Sequence, residues 1–288
     1  MDCSRTPIRG VPWHGACALW LAALGACAAA QKRAAREEKM SFVEGGAGRL
    51  RVSDGGQGGV PVVLVHGLGS ELETWRPVLD RLRSKQRTIA YDQRGHGQSD
   101  RAAEYSVEAL ADDLERVVTA LGVDRFWVVG HSFSGTVVSA YAAKHPEKVA
   151  GAIYVDAVGD ASRAPADVKE YLRQRDARTT SEGLQEAYGG MLGPKAKPAT
   201  RSAVLGSVAR MDLKAYAALR RAMGEFDGLA AAQKYAGPRF AVDAEGNDNP
   251  MMAAHLPGTR RLTVGGVSHW LMLDDPEAAA RALEEVLR

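Results

Sequence analysis

The segment Trp127-Val128-Val129-Gly130-His131-Ser132-Phe133-Ser134-Gly135 constrains this chain more than any other. An apolar β-branched run ends in a glycine, a serine follows with small residues, Gly130 and Ser134, two places to either side, and the next stretch reads as helix. A strand that passes into a helix through so few residues must turn sharply. A serine at the apex of such a turn stands with its hydroxyl exposed, the layout of a nucleophile elbow. Small neighbours are demanded because the turn is strained and the helix packs close to the sheet. The common pattern is G-x-S-x-G. Here its fifth position is Ser134 and the glycine comes one residue later, at Gly135, so one small residue replaces another.

The flanking sequence repeats a strand–helix rhythm. Ser41 to Ser53, broken by Gly45-Gly46 and Gly48, reads as an opening hairpin. Val60 to Val65 is apolar throughout, as expected of a parallel strand covered on both faces. Trp75, Val78, Leu79 and Leu82 recur at helical spacing, and Thr88 to Tyr91 is a second short strand. Ser106 is placed to cap a helix whose core stripe is Val107, Leu110, Leu114, Val117, Val118 and Leu121, and Gly122 ends it. Phe126 to Val129 is the strand under the turn. The helix after it runs to His145, where Pro146 stops it, and Ala150 to Val155 is the next strand. Strands alternating with helices predict an α/β architecture with a mostly parallel sheet and helices on both faces.

From about residue 157 to 236 the rhythm breaks. Val168/Tyr171/Leu172, Leu184/Ala187/Tyr188/Met191, Val204/Val208/Met211 and Leu213/Tyr216/Met223 predict about four amphipathic helices and no strand. Phe240 to Val242 and Leu262 to Val264 restore two strands, and Asp275-Pro276 opens a last helix.

Four segments stand in order at predicted strand ends: His66-Gly67-Leu68-Gly69, Asp92-Gln93-Arg94-Gly95-His96-Gly97-Gln98-Ser99, the Ser132 turn, and Ser268-His269-Trp270. Together they resemble the signature segments of the α/β-hydrolase superfamily, in its serine esterase/lipase-like branch, over Ser41 to Arg288. The resemblance implies Ser132 as nucleophile and His269 as its base. It implies backbone N–H donors of Leu68 and Phe133 as the oxyanion hole, and the helical insertion as a cap over the site. A serine hydroxyl needs such a base within hydrogen-bond reach, and a group to orient it. The family's usual acid follows the strand beginning near Pro238, and a gapless match there falls on Asn247, an amide. An amide cannot carry the negative charge that stabilises an imidazolium. Two carboxylates can replace it: Asp248, if the loop is one residue longer, or Asp156 at the end of the strand after the elbow, where some family members carry their acid. The gapless match favours Asp156. Trp270 and Trp75 are expected to wall the pocket. His66, His131 and His96 fall in family segments with packing or loop roles, and His14, His145 and His255 are expected at the surface.

Composition bounds the rest. A chain of 288 residues, 45% hydrophobic, can bury one large core. A formal net charge of +2 with dispersed basic residues does not point to nucleic acid. The cysteines, Cys3, Cys17 and Cys27, all lie in the first tenth of the chain, so the globular part has no disulfide, thiolate nucleophile or cysteine metal site. No metal-spaced histidines occur, and no cofactor is expected. Arg5 and Arg9 precede an apolar stretch from Ala16 to Ala30 with the proportions of a signal peptide. Leu24-Gly25-Ala26-Cys27 resembles a lipobox, which would attach the protein to a membrane through lipidated Cys27; cleavage near Ala28 to Ala30 is the alternative. The expected organisation is a leader over 1–30, a tether over 31–40 and one hydrolase domain over 41–288, in a bacterial cell envelope or secreted. The expected reaction is hydrolysis of a small or medium acyl ester through an acyl-enzyme. C–C bond hydrolysis, lactonase or perhydrolase chemistry on the same residues, a non-catalytic binding protein on this scaffold, and a structural envelope lipoprotein are the alternatives.

Overall fold

The computed structural model describes residues 37–288. The expected leader, the lipidation site at Cys27 and the first part of the tether lie outside the described residues. The strands are β1 (Lys39–Gly45), β2 (Gly48–Gly55), β3 (Val62–Val65), β4 (Thr88–Tyr91), β5 (Phe126–His131), β6 (Val149–Val155), β7 (Arg239–Ala244) and β8 (Thr259–Val264). They form one sheet in the order β1-β2-β4-β3-β5-β6-β7-β8. β1 and β2 pair antiparallel, as does β2 with β4, and every other pairing is parallel.

The continuous apolar run of β3 has a direct cause. Val62 and Leu64 enter the core on one face of the sheet, while Val63 and Val65 enter the core on the other. A strand covered on both sides has no polar face to alternate with. One face is covered by α1 (Arg76–Arg83) and the C-terminal helices α9 (Leu271–Asp274) and α10 (Pro276–Val286). The other is covered by α2 (Val107–Ala120) and α3 (Gly135–Lys144). Ser106 caps α2, accepting from the Ala109 N–H, and the stripe from Val107 to Val118 is buried. Asp275 caps α10 in the same way, accepting from the Ala278 N–H at 2.9 Å.

The insertion between β6 and β7 holds five helices rather than about four: α4 (Ala166–Ala177), α5 (Ser181–Leu192), α6 (Pro198–Val208), α7 (Leu213–Glu225) and α8 (Gly228–Lys234). α8 escapes the sequence pattern because it is short and alanine-rich, with no wide apolar stripe. It also differs in role. Ala232 and the following Tyr235 join the core of Val138 and Tyr141, so α8 packs back on α3. The part of the insertion that stands over the site therefore ends near Glu225, not at residue 236.

Strand register places the candidate residues along one edge. Val65 of β3 lies opposite Gly130 of β5, and His131 of β5 opposite Val155 of β6. The residues that follow, His66, Ser132 and Asp156, thus leave the sheet together at the carboxyl ends of three adjacent strands. Ligands of open α/β sheets bind at that edge.

Candidate active site

β5 ends in extended backbone and Ser132 then takes φ +56°, in the left-handed region. Among the described residues only Ser132 and Asp156, at φ +43°, do so without being glycine. Such a conformation costs about 1–3 kcal/mol and persists only where the surroundings over-determine it. Packing does so here. A Cβ on Gly130 would lie 2.5 Å from the Ser134 carbonyl oxygen, and one on Gly135 only 2.2 Å from the Val158 carbonyl oxygen. The glycine one place beyond the usual pattern is therefore where the helix meets the β6 loop. Ser134 is more than a tolerated small residue. Its buried hydroxyl donates to the His66 carbonyl at 2.5 Å and accepts from Gln93 Nε2 at 3.1 Å. It ties the turn to the loop after β3.

His269 lies between Ser132 and Asp156. Its Nε2 is 2.8 Å from Ser132 Oγ, and its Nδ1 is 2.6 Å from Asp156 Oδ2. With Nδ1–H donating to the carboxylate, Nε2 is left to accept from the serine hydroxyl. The other carboxylate oxygen, Asp156 Oδ1, accepts from the Ala244 N–H and from Asn247 Nδ2, each at 3.0 Å. Burial pushes the Asp156 carboxyl up, but the bonds from His269, Asn247 and Ala244 outweigh it and hold its pKa below the ordinary value. Asp248 is elsewhere. Its side chain is 77% exposed and pairs with Arg261 at 2.9 Å. The structure therefore brings Asp156 to His269 and leaves Asp248 at the surface. Asn247 has a role that the sequence reading did not assign: it holds the carboxylate instead of supplying it.

The loop after β3 is fixed by neutral histidines. His66 donates from Nδ1 to the Gly67 carbonyl at 2.8 Å and accepts at Nε2 from the Gln93 N–H at 3.0 Å. His96 accepts at Nε2 from the Gly69 N–H at 3.2 Å, and its Nδ1 donates to the Arg94 carbonyl at 3.1 Å. Burial lowers the pKa of His66 to about 4 and of His96 to about 3. From the insertion, Tyr188 donates to the Leu68 carbonyl at 2.8 Å and Ser207 to the Gly69 carbonyl at 2.9 Å. The Leu68 N–H has no acceptor among the described residues. Phe133 is the second residue of the short helical turn Ser132–Ser134, where the first N–H groups have no acceptor within the helix. Both residues line the same cavity as Ser132.

That cavity measures about 380 Å³. Leu68, Ser132, Phe133, His269 and Trp270 form its sheet side, and Arg175, Tyr188, Met191, Tyr216, Arg220 and Met223 close it from the insertion. Trp270 is a pocket wall as expected. Trp75 is not: it is wholly buried and packs edge-on against His131, with ring centroids 6.3 Å apart. His131 in turn lies under His269, with centroids 4.7 Å apart, and donates from Nε2 to the His269 carbonyl at 3.0 Å. Burial and the neighbouring imidazole lower its pKa to about 3. His255 is exposed, while His145 is half-buried against the Tyr141 ring rather than at the surface. Among the described residues no group of three or more His, Cys, Asp or Glu side chains is placed to hold a metal ion. What the arrangement can do is move a proton from a serine hydroxyl to an imidazole backed by a carboxylate.

A family model described as "alpha/beta hydrolase fold" matches residues 60–192. An uncharacterized protein of Mycobacterium tuberculosis is 38% identical over 102 residues, 35% of this chain and 30% of that protein. A Caulobacter protein named as a carbamate hydrolase is 36% identical over 125 residues, 43% of this chain and 46% of that protein. The chain thus spans less than half the length of these curated relatives. A thermophilic esterase from Thermogutta terrifontis superposes with a TM-score of 0.76 at 24% identity, covering 87% of this chain and 98% of that one. The enol-lactonase of Burkholderia xenovorans does so with a TM-score of 0.76 at 19% identity, over 86% and 99%. At these identities the superpositions establish the fold.

Proposed function

From the alpha/beta hydrolase fold of this chain we propose that it is a serine hydrolase cleaving small or medium acyl esters through an acyl-enzyme. One observation carries the proposal: His269 hydrogen-bonds to Ser132 through one ring nitrogen and to Asp156 through the other. In this reading His269 takes the proton of Ser132 as its Oγ attacks the ester carbonyl. The Asp156 carboxylate stabilises the imidazolium and keeps the ring in its tautomer. The N–H groups of Leu68 and Phe133 stabilise the oxyanion, each worth about 10²–10³ in rate. His269 then protonates the leaving alcohol, and water, deprotonated by the same imidazole, cleaves the acyl-enzyme. A cavity of about 380 Å³ suits an acyl group of modest size.

The test is turnover of p-nitrophenyl esters of increasing chain length, with Ser132→Ala as the blank. The expected result is hydrolysis by the wild type that falls at least about 10³-fold in the variant. A wild type that neither turns over an ester nor reacts with a fluorophosphonate would instead support a binding protein on this scaffold. The leader sequence further supports export and lipidation at Cys27. Cys27→Ser should then abolish acyl labelling and membrane retention, and retention unchanged in that variant refutes the anchor.

A further inference from the structure

Arg175 and Arg220 line the cavity that holds Ser132, and they share one carboxylate. Asp176, on α4, accepts from Arg175 Nε at 3.0 Å and Nη2 at 2.7 Å, both at Oδ1. Its Oδ2 accepts from Arg220 Nε, on α7, at 3.1 Å. The Asp176 side chain is only 6% exposed, so this anion is committed. The two terminal nitrogens of Arg220 hydrogen-bond to nothing among the described residues, and the side chain is 21% exposed. Arg220 is thus held by its Nε edge and leaves its Nη1/Nη2 end open.

The charge balance points the same way. Neither Asp nor Glu lines the cavity, whose other polar walls are amides, hydroxyls, imidazoles and the Trp270 indole. Two guanidiniums against Asp176 leave one positive charge uncompensated on the cap side. An adjoining cavity of about 450 Å³ shares Arg175, Ala187 and Tyr216 with it, adds Arg178, and again has no acidic lining residue. A strap between α4 and α7 would need only one guanidinium per carboxylate. A surplus arginine with a free planar fork, fixed from behind, is the arrangement that binds a carboxylate with two parallel N–H donors.

We infer that Arg220, oriented by Asp176 and seconded by Arg175, binds a free carboxylate of the substrate, so that this site selects esters carrying an anionic carboxylate away from the scissile carbonyl. The inference rests on the serine-hydrolase reading for the reaction but not for the binding. Two measurements separate them. The first is calorimetric binding of glutarate, with glutaramide as the neutral match, to the wild type, Arg220→Gln, Arg220→Lys and Arg175→Gln. The second is the ratio of kcat/KM for p-nitrophenyl hemiglutarate to that for p-nitrophenyl valerate.

The wild type is expected to prefer glutarate to glutaramide and the hemiester to the valerate. Arg220→Gln should weaken glutarate binding and lower the kcat/KM ratio by about tenfold to a hundredfold, through KM. Arg220→Lys should recover part of the loss, because it restores the charge without the fork. Arg175→Gln should give a smaller fall of the same sign. Glutarate binding that is absent from the wild type, or unchanged by Arg220→Gln, overturns the inference, as does an equal loss on both esters. Arg220-dependent glutarate binding without turnover of either ester would keep the anion site and refute the serine hydrolase. Turnover without discrimination or glutarate binding would do the reverse.

Discussion

The two sides of the cavity are built on different principles. On the sheet side every reacting group sits on the loop that leaves a parallel strand, and buried hydrogen bonds hold each loop. β5 is buried almost throughout, and the turn that follows is pinned by Ser134, Gln93 and His66. On the cap side α4 buries only Asp176, while Tyr171 and Met191 stand exposed. The rest of the cap buries Leu184, Val204, Val208, Tyr216 and Leu219 in the core that the sheet also enters, and adds hydrogen bonds such as Tyr188 to Leu68. Strand register thus sets the spacing of Ser132 and Asp156, whereas on the cap side α4 is tied to α7 through the one carboxylate of Asp176. In the serine-hydrolase reading proposed above, the sheet side carries the reaction and the cap side shapes the cavity.

Breaking the sheet side should cost most. Asp156→Asn is expected to lower kcat on a p-nitrophenyl ester by about 10⁴-fold, because the amide favours the wrong imidazole tautomer. Asp248→Asn should stay within about threefold, as expected of an exposed rim charge. Similar losses in the two variants would erase the distinction between a register-fixed acid and a loop residue.

Acid should loosen the same half. His66, His96 and His131 have pKa values of about 4, 3 and 3 in the fold, against an ordinary value of 6.5. Between pH 6.5 and about 4 the unfolded chain therefore binds three protons that the folded chain does not. Stability should fall as pH falls through that window, by about 1.4 kcal/mol per imidazole per pH unit. Asp243 opposes them. Burial and the Asp156 charge push its pKa up to about 6, so the folded chain binds one extra proton down to the ordinary 3.8. The three imidazoles outweigh this single carboxyl, so across these four groups stability still falls as pH falls. Urea unfolding at a series of pH values reads it, and a midpoint that stays constant from pH 6.5 to 5 would contradict three neutral buried rings.

Smaller effects sharpen the contrast. Gly135→Ala drives a methyl group into the Val158 carbonyl and should cost about 3 kcal/mol by urea titration. A cost below about 1 kcal/mol would show that the turn yields more than the packing suggests. Tyr188→Phe removes the donor to the Leu68 carbonyl and should cost about 1 kcal/mol, with kcat falling less than tenfold. A fall approaching that of Asp156→Asn would make the cap part of the reacting machinery and collapse the division.

The sheet half was legible in the sequence because its information is local. Periodicity marked the strands, and ordered motifs marked the loops at their ends. Asp156 was reached only because the aligned position held an amide. Why that amide is there became visible once Asn247 was seen donating to the carboxylate. Ser134 looked like a permissible small residue because its acceptor, the His66 carbonyl, is distant in sequence. Trp75 was placed in the pocket by its position after the β3 loop, but the turn of Leu72 to Trp75 carries it under His131. The helices of the insertion could be recognised, yet their partners could not. The sharing of Asp176 by Arg175 and Arg220 joins residues far apart on two helices, and no spacing rule announces it.

Asp156 stands on the strand next to the one that carries Ser132, so a single inter-strand ladder measures the gap between them. The span from β7 to β8 is tied to this pair: Asn247 donates to the carboxylate, and Met251 and Ala253 exchange backbone hydrogen bonds with the residues that follow Asp156. Lengthening the stretch beyond Asn247 should therefore move the residues that follow Asp156 along with the cavity rim formed by Asn249, Met251 and Met252.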